Sequence, residues 1–189
     1  MVILSDLSFD SGYGMRFSSS KLLERVELTN GQIDALKNLQ DYDLSFITER
    51  LVDDINLPLE APEQVAYLRQ LFDRVDFSLA KNIELEFRKW FSLVIIYPHE
   101  DFVPSRPVDM YWHYLVLHTM EYSHFCKAVF GRFIHHVGAR EAGMDYIQNR
   151  KDETLSRLVK LYGPLDQEIW GTKANPGCSN YSFFDSSKQ

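Results

Sequence analysis

The chain has 189 residues, of which 45% are hydrophobic and 14% aromatic, so it can bury the core of one folded domain. Its 27 acidic residues outnumber its 20 basic residues, whereas binding to phosphate groups calls for a basic surface. This balance argues against a nucleic-acid partner. The two cysteines, Cys126 and Cys178, are too few for the disulfide framework of a small secreted domain.

The first residues, Met-Val-Ile-Leu-Ser-Asp, lack the basic region of a signal peptide. No segment approaches the ~20 apolar residues that span a bilayer. We therefore expect a cytoplasmic protein with no membrane partner. Composition predicts three parts: an irregular, Ser/Gly/Asp-rich arm over residues 1–18, a helical domain over 19–171, and a polar tail with aromatic residues over 172–189.

Apolar residues recur every three to four positions along most of the chain, which predicts a series of helices. A short helix near Ser20 is expected to end at Asn30-Gly31, and a second short helix follows it. The next helix is capped by Asp43, and another begins at Pro62. Their apolar stripes are, in order, Leu22, Leu23, Val26; Ile33, Leu36, Leu39; Leu44, Ile47, Leu51, Ile55; and Val65, Leu68, Phe72, Val75, Leu79.

Three further helices complete the pattern. One carries Phe87 and Trp90 on its apolar face, and the last ends at Gly163. Between them, a helix capped by Ser105 has apolar or aromatic residues nearly all round, so it is predicted to be central and buried until Gly131 or Gly138 ends it. The sequence thus predicts an all-α, single-domain orthogonal bundle of five to seven helices around this central helix, with little or no sheet.

Histidines give the main chemical signal, since five of the six lie between residues 113 and 136. Asp109 and His113 are four residues apart and share one face of the central helix. The carboxylate could accept a hydrogen bond from one imidazole nitrogen and leave the other as a base or metal ligand. The alternative is a buried structural pair beside Trp112.

A site shared by His113 and His136 depends on the course of the helix between them. An unbroken helix would separate their Cα atoms by roughly 34 Å. A shared metal site therefore requires the helix to break before its predicted end. Cys178, or the carboxylates Asp41 and Asp43, could then complete a ligand set of the mixed kind that suits zinc or iron(II).

Two further features have plain structural interpretations. Cys126 lies on the aromatic face and is expected to be an inert core thiol, with a thiolate–imidazole couple to His136 as the alternative. The charged residues of the segment 81–89 are expected to form a solvated helix face.

Four short motifs follow one another in this region: Val-Pro-Ser at 103–105, Val-Asp-Met-Tyr-Trp-His at 108–113, Thr-x-x-Tyr-x-x-x-Cys at 119–126, and His-His at 135–136. In their order and spacing they resemble the glycine-rich-domain-containing-protein-like family, over roughly residues 41–171. That family has a second histidine where this chain has Leu115. The resemblance implies a helical fold and a site in this region, and it implies no particular reaction.

Two functions follow from these observations. The first is a metal-binding helical protein, which could be a metal-dependent enzyme acting on a small molecule or peptide. Asp109 and His113 would be its catalytic pair, and Trp112 and Tyr122 would line a cofactor-binding pocket. The residues predicted to hold zinc or iron are Asp109, His113, His136 and Cys178. The second is a non-catalytic protein–protein interaction or regulatory module, in which the Asp–His pair is structural and the arm or tail docks onto a partner.

Overall fold

The computed structural model describes residues 2–3, 26–56, 75–136 and 144–171. These residues form seven helices and one antiparallel pair of two-residue strands, so the predicted all-α, single-domain helical bundle with little sheet is confirmed. The elements are β1 (Val2–Ile3), β2 (Glu27–Leu28), α1 (Asn30–Asp41), α2 (Ser45–Asn56), α3 (Phe77–Ile96), α4 (Arg106–Leu117), α5 (Thr119–Phe130), α6 (Met144–Tyr162) and α7 (Gln167–Trp170).

Several predicted segments lie outside the described residues: most of the helix from Pro62, the tail 172–189, and the arm 1–18 apart from β1. Leu79, predicted as the end of the helix from Pro62, lies instead in α3, which begins after the capping residue Asp76. Within the described ranges, no helix combines the length and apolarity that crossing a membrane would need.

The start of α1 differs from the prediction. Asn30-Gly31 opens this helix instead of ending an earlier one, and the chain just before it pairs as β2. The reason is a capping box: the Thr29 hydroxyl accepts from the backbone N–H of Gln32, and the Gln32 side chain accepts from the backbone N–H of Thr29. The cap predicted at Asp43 is confirmed, since its carboxylate accepts from the backbone N–H of Ser45 at 2.9 Å.

The helix predicted to run unbroken from Ser105 to Gly131 is in fact two helices, α4 and α5, separated at His118. The backbone of His118 leaves the helical conformation, with φ −86° and ψ 70°, and the ring makes a hydrogen bond at the same place. Its Nδ1 lies 2.9 Å from the carbonyl oxygen of Tyr114, and because a carbonyl only accepts, Nδ1–H is the donor. The backbone N–H of His118 bonds instead to Leu115, three residues back. The predicted cap at Ser105 and the end at Gly131, which has a φ of 67°, are confirmed.

Two helices form the centre of the bundle. Helix α3 packs against α1, α2, α4 and α6, and α4 packs against α2, α3, α5 and α7. Their interface is aromatic: the Trp90 ring lies 5.0 Å from the Trp112 ring, and Phe87 lies 5.1 Å from Tyr111. All four side chains are fully buried, and truncating such a side chain to alanine typically costs about 3–5 kcal/mol.

The prediction that the charged residues of 81–89 face water is wrong. Glu84 and Arg88 are each only 1% exposed, and an Arg88 Nη2–Glu84 Oε1 ion pair of 2.6 Å joins them. Arg88 also donates to the backbone carbonyls of Leu39, Gln40 and Tyr42 at the end of α1. These carbonyls have no partner within their own helix, so the guanidinium satisfies them where water cannot.

We expect Arg88→Met to lower the free energy of unfolding by about 3–5 kcal/mol, because it leaves the buried Glu84 carboxylate with only the partly exposed Lys81 as counter-charge and removes the donor to the carbonyls at the end of α1. Urea unfolding at neutral pH measures this. Arg150→Met removes the surface pair with Glu153, where the arginine side chain is 33% exposed, and should change stability by less than about 1 kcal/mol. Equal losses in the two variants would contradict the account.

The same pair predicts a dependence of stability on pH. Burial alone would raise the pKa of Glu84, but Arg88, Lys81 and Thr48 outweigh it and leave the pKa below its ordinary value. The stabilisation is therefore complete above the pKa of an unfolded glutamate and is lost as the pH falls through the lower, folded-state pKa. Urea unfolding from about pH 6 to about pH 3 should show a steeper loss for the wild type than for Glu84→Gln/Arg88→Met. If stability fell equally with pH in both proteins, the Glu84–Arg88 pair would not be the source of the pH dependence.

Candidate metal centre

Asp109, His113 and His136 come together beside α4. Asp109 and His113 lie one turn apart on α4, and His136 belongs to the non-helical segment 131–136 that follows α5. One ligand atom from each side chain lies within 4.8 Å of the other two. The break at His118 makes this possible, because it gives α5 a new direction. The condition predicted for a shared site, a helix that breaks early, is thus met.

The closest approaches in this cluster centre on the carboxylate. Asp109 Oδ1 lies 3.3 Å from His113 Nδ1 and 3.8 Å from His136 Nε2. The two imidazole rings meet edge to face, with centroids 4.2 Å apart. The side chain of Asp109 is only 4% exposed, whereas those of His136 and His113 are 17% and 28% exposed. The carboxylate therefore forms the inner end of the cluster, and the imidazoles reach toward solvent.

The backbone fixes the orientation of His113. Its Nδ1 lies 2.8 Å from the carbonyl oxygen of Asp109, so Nδ1–H donates there and Nε2 keeps its lone pair. Burial alone would lower the pKa of His113, but the hydrogen bond and negative charge of Asp109 outweigh it and raise the pKa. The residue that orients this imidazole therefore also favours its protonated form.

Trp112 and Tyr122, the predicted cofactor-binding residues, are buried against each other. Trp112 Nε1 donates to the Tyr122 hydroxyl at 3.1 Å, and that hydroxyl donates to the carbonyl of Ile134 at 2.6 Å. The Trp112 ring also lies 4.8 Å from the ring of His136. Their polar atoms thus connect α4, α5 and the segment that carries His136. Contact with a ligand stays a prediction for both residues.

The other candidate ligands have separate locations. Asp43 caps α2, the side chain of Asp41 is exposed at the end of α1, and neither belongs to the cluster. Cys178, the fourth predicted ligand, lies outside the described residues. Of the adjacent histidines, His135 is exposed and His136 turns inward to the cluster.

Sequence reasoning did not predict the helix break at His118. This residue joins the end of α4 to the start of α5, and its ring donates to the carbonyl of Tyr114. A polar side chain alone is not a sufficient signal for such a break, because His113 makes the same ring-to-carbonyl contact within α4 and the helix continues past it.

The fold and the cluster define a helical bundle in which one aspartate and one histidine of a central helix meet a second histidine from the segment after α5. The model of the UCP032817-like family matches residues 48–169, which is nearly two thirds of the chain. The chain therefore belongs to the UCP032817-like family. This corrects the resemblance to the glycine-rich-domain-containing-protein-like family, which is not the family that matches. Searches among curated proteins and among solved structures each found no significant match.

The burial of Cys126 predicts low reactivity. Its side chain is fully buried, and burial raises the pKa of the thiol, although Ile134 and Tyr122 partly oppose this. The nucleophilic thiolate is therefore scarce in the folded chain. In Cys178→Ser protein, where Cys126 is the one remaining thiol, we expect an aromatic disulfide reagent to react far more slowly with folded than with urea-unfolded chain. Equal rates in the two states would show that the thiol is accessible.

Proposed function

We propose that this protein binds a divalent transition-metal ion, zinc or iron(II), through Asp109, His113 and His136. The observation that carries the proposal is the clustering of one ligand atom from each side chain within 4.8 Å, around a carboxylate that is almost fully buried. Imidazole nitrogen and carboxylate oxygen together suit zinc and iron(II), whereas calcium and magnesium prefer oxygen ligands alone.

The distances support an ion of this size. Bonds of ~2.0–2.2 Å to a metal place neighbouring ligand atoms ~3.0–3.6 Å apart. The separation of 3.8 Å between Asp109 Oδ1 and His136 Nε2 is near this range, and all three side chains offer a ligand atom within 4.8 Å of the others, so rotations of the side chains would complete the geometry. A bound cation would also compensate the charge of the buried Asp109 carboxylate.

Three protein ligands leave room for another. Zinc sites of this kind carry a water or substrate in the remaining position, and the partial exposure of His113 and His136 would turn that position to solvent. An ion there can lower the pKa of a bound water or polarise a carbonyl oxygen. We therefore propose further that the protein is a metal-dependent enzyme acting on a small molecule or peptide. Asp109 and His113 would be ligands of the reactive ion.

Cys178 remains a candidate fourth ligand. It lies seven residues beyond Gly171, a span of at most ~25 Å when extended, and α7 packs against α4. If its thiolate joins the ion, Co²⁺-substituted protein should show an intense sulfur-to-metal absorption band that Cys178→Ser abolishes. With nitrogen and oxygen ligands alone, the band is missing from both proteins.

The second candidate is a non-catalytic module in which Asp109 and His113 are structural. The hydrogen bond from His113 Nδ1 to the Asp109 carbonyl is the observation that favours it, because this contact stabilises the helix with or without an ion. The two candidates differ in one measurable respect: only the first requires metal affinity that depends on His136, which lies in a different segment.

The test is a zinc titration of protein that has been stripped with chelator and dialysed. We expect one ion per wild-type chain, with affinity lost in His113→Ala and His136→Ala by more than the ~10–100-fold typical of outer-shell changes. His135→Ala is the matched control, because it removes the exposed neighbouring imidazole from the same segment. Isothermal titration calorimetry with elemental analysis gives affinity and stoichiometry.

Two results would overturn the metal site. One is wild-type protein that binds no stoichiometric zinc and keeps the same melting temperature with zinc or chelator. The other is an equal loss of affinity in His135→Ala and His136→Ala, which would indicate nonspecific binding to surface imidazoles.

A further inference from the structure

The segment that carries His136 depends on contacts outside itself for its position. Gly131 ends α5 in the left-handed conformation, and residues 132–136 form neither helix nor strand. Phe133 and His135 are exposed, whereas Ile134 between them is only 2% exposed. Ile134 is therefore the point at which this segment is attached to the rest of the protein.

Both backbone groups of Ile134 face α5. Its carbonyl accepts from the Tyr122 hydroxyl at 2.6 Å, and its N–H lies close enough to the Cys126 sulfur to favour the thiolate and so to oppose the rise in the pKa of that thiol. Tyr122 and Cys126 are four residues apart, so they lie one above the other on the helix, and both are buried. This pair gives a physical role to the Tyr-x-x-x-Cys spacing noted in the sequence.

The same hydroxyl is connected to the helix that carries the other two ligands. Trp112 Nε1 donates to Tyr122, and Trp112 immediately precedes His113. A chain of hydrogen bonds thus runs from α4 through the Tyr122 hydroxyl to the Ile134 carbonyl, two residues before His136. It joins the two ligand-bearing segments without passing through any ligand side chain.

We propose that Tyr122, assisted by Cys126, is a positioning residue that holds His136 at ligating distance by fixing the Ile134 peptide. The inference rests on the proposed metal site. The backbone torsions between Ile134 and His136 and the side-chain torsions of His136 are all that separate the fixed peptide from the imidazole. Releasing the peptide lets the imidazole move out of reach of Asp109. Metal binding must then also order the segment that carries His136, and this cost weakens the affinity.

The test is a Co²⁺ titration of wild type, Tyr122→Phe and Tyr114→Phe, followed by visible absorption. Tyr122→Phe should bind Co²⁺ about 10–100-fold more weakly, the range seen when outer-shell partners of metal ligands are removed. Its d–d bands should also change in position and intensity, because the ligand geometry is altered. Tyr114→Phe removes another buried phenol hydroxyl of the same region, one that donates to Asp54, and should leave both affinity and spectrum unchanged.

Thermal unfolding of each variant shows whether it is folded. If Tyr122→Phe does not fold, Cys126→Ala decides the question, because it removes the sulfur beside the N–H of Ile134 and the Tyr122 hydroxyl, keeps that hydroxyl in place, and should weaken binding by a smaller factor with a spectral change of the same kind. Folded Tyr122→Phe with wild-type affinity and spectrum would overturn the positioning role and leave the metal site standing. A wild-type protein that binds no Co²⁺ would overturn both.

Discussion

The break between α4 and α5 at His118 decides how the second half of the chain is arranged. There the backbone N–H of His118 bonds to Leu115, three residues back, its ring donates to the carbonyl of Tyr114, and α4 ends after three turns. Because α5 starts in a new direction, the segment after it returns to α4. In one continuous helix His136 would lie more than 30 Å from His113, and no common site could exist.

Buried polar contacts with α2 and α3 also hold α4 in place. The ion pair of Glu84 and Arg88 binds the end of α1, and Thr48 of α2 donates to Glu84 at 2.6 Å. The Thr48 hydroxyl also lies 2.9 Å from the hydroxyl of Tyr111 on α4. A buried polar network therefore links four helices, and its last member is two residues from Asp109. Such a network specifies the relative positions of helices when its members are satisfied.

Much of the fold could be predicted from apolar spacing, because α1, α2 and α6 each bury one stripe and the apolar face predicted for α3 is buried as well. The break at His118 could not, since Leu115 before it and Tyr122 after it are both buried and the apolar pattern continues across it. The Glu84–Arg88 pair was missed for a related reason. Charged residues on an amphipathic helix usually face water, and only the packing of α1 and α2 shows that this face is covered.

The candidate site was more accessible to sequence reasoning than its surroundings. The spacing of Asp109 and His113 places them on one face of any helix, and the geometry of an unbroken helix defined the condition under which His136 could join them. The order of the surrounding motifs suggested the wrong family. The roles of Tyr122 and Cys126 depend on contacts with a segment that has no periodic pattern, and only coordinates could assign them.

Diffraction at the zinc absorption edge, from crystals grown with equimolar zinc, tests the central claim most directly. The account predicts one anomalous peak within ~2.0–2.2 Å of an Asp109 carboxylate oxygen and of one nitrogen each of His113 and His136. A strong peak elsewhere on the protein, with His113 still bonded to the Asp109 carbonyl and no density between the three side chains, would contradict it.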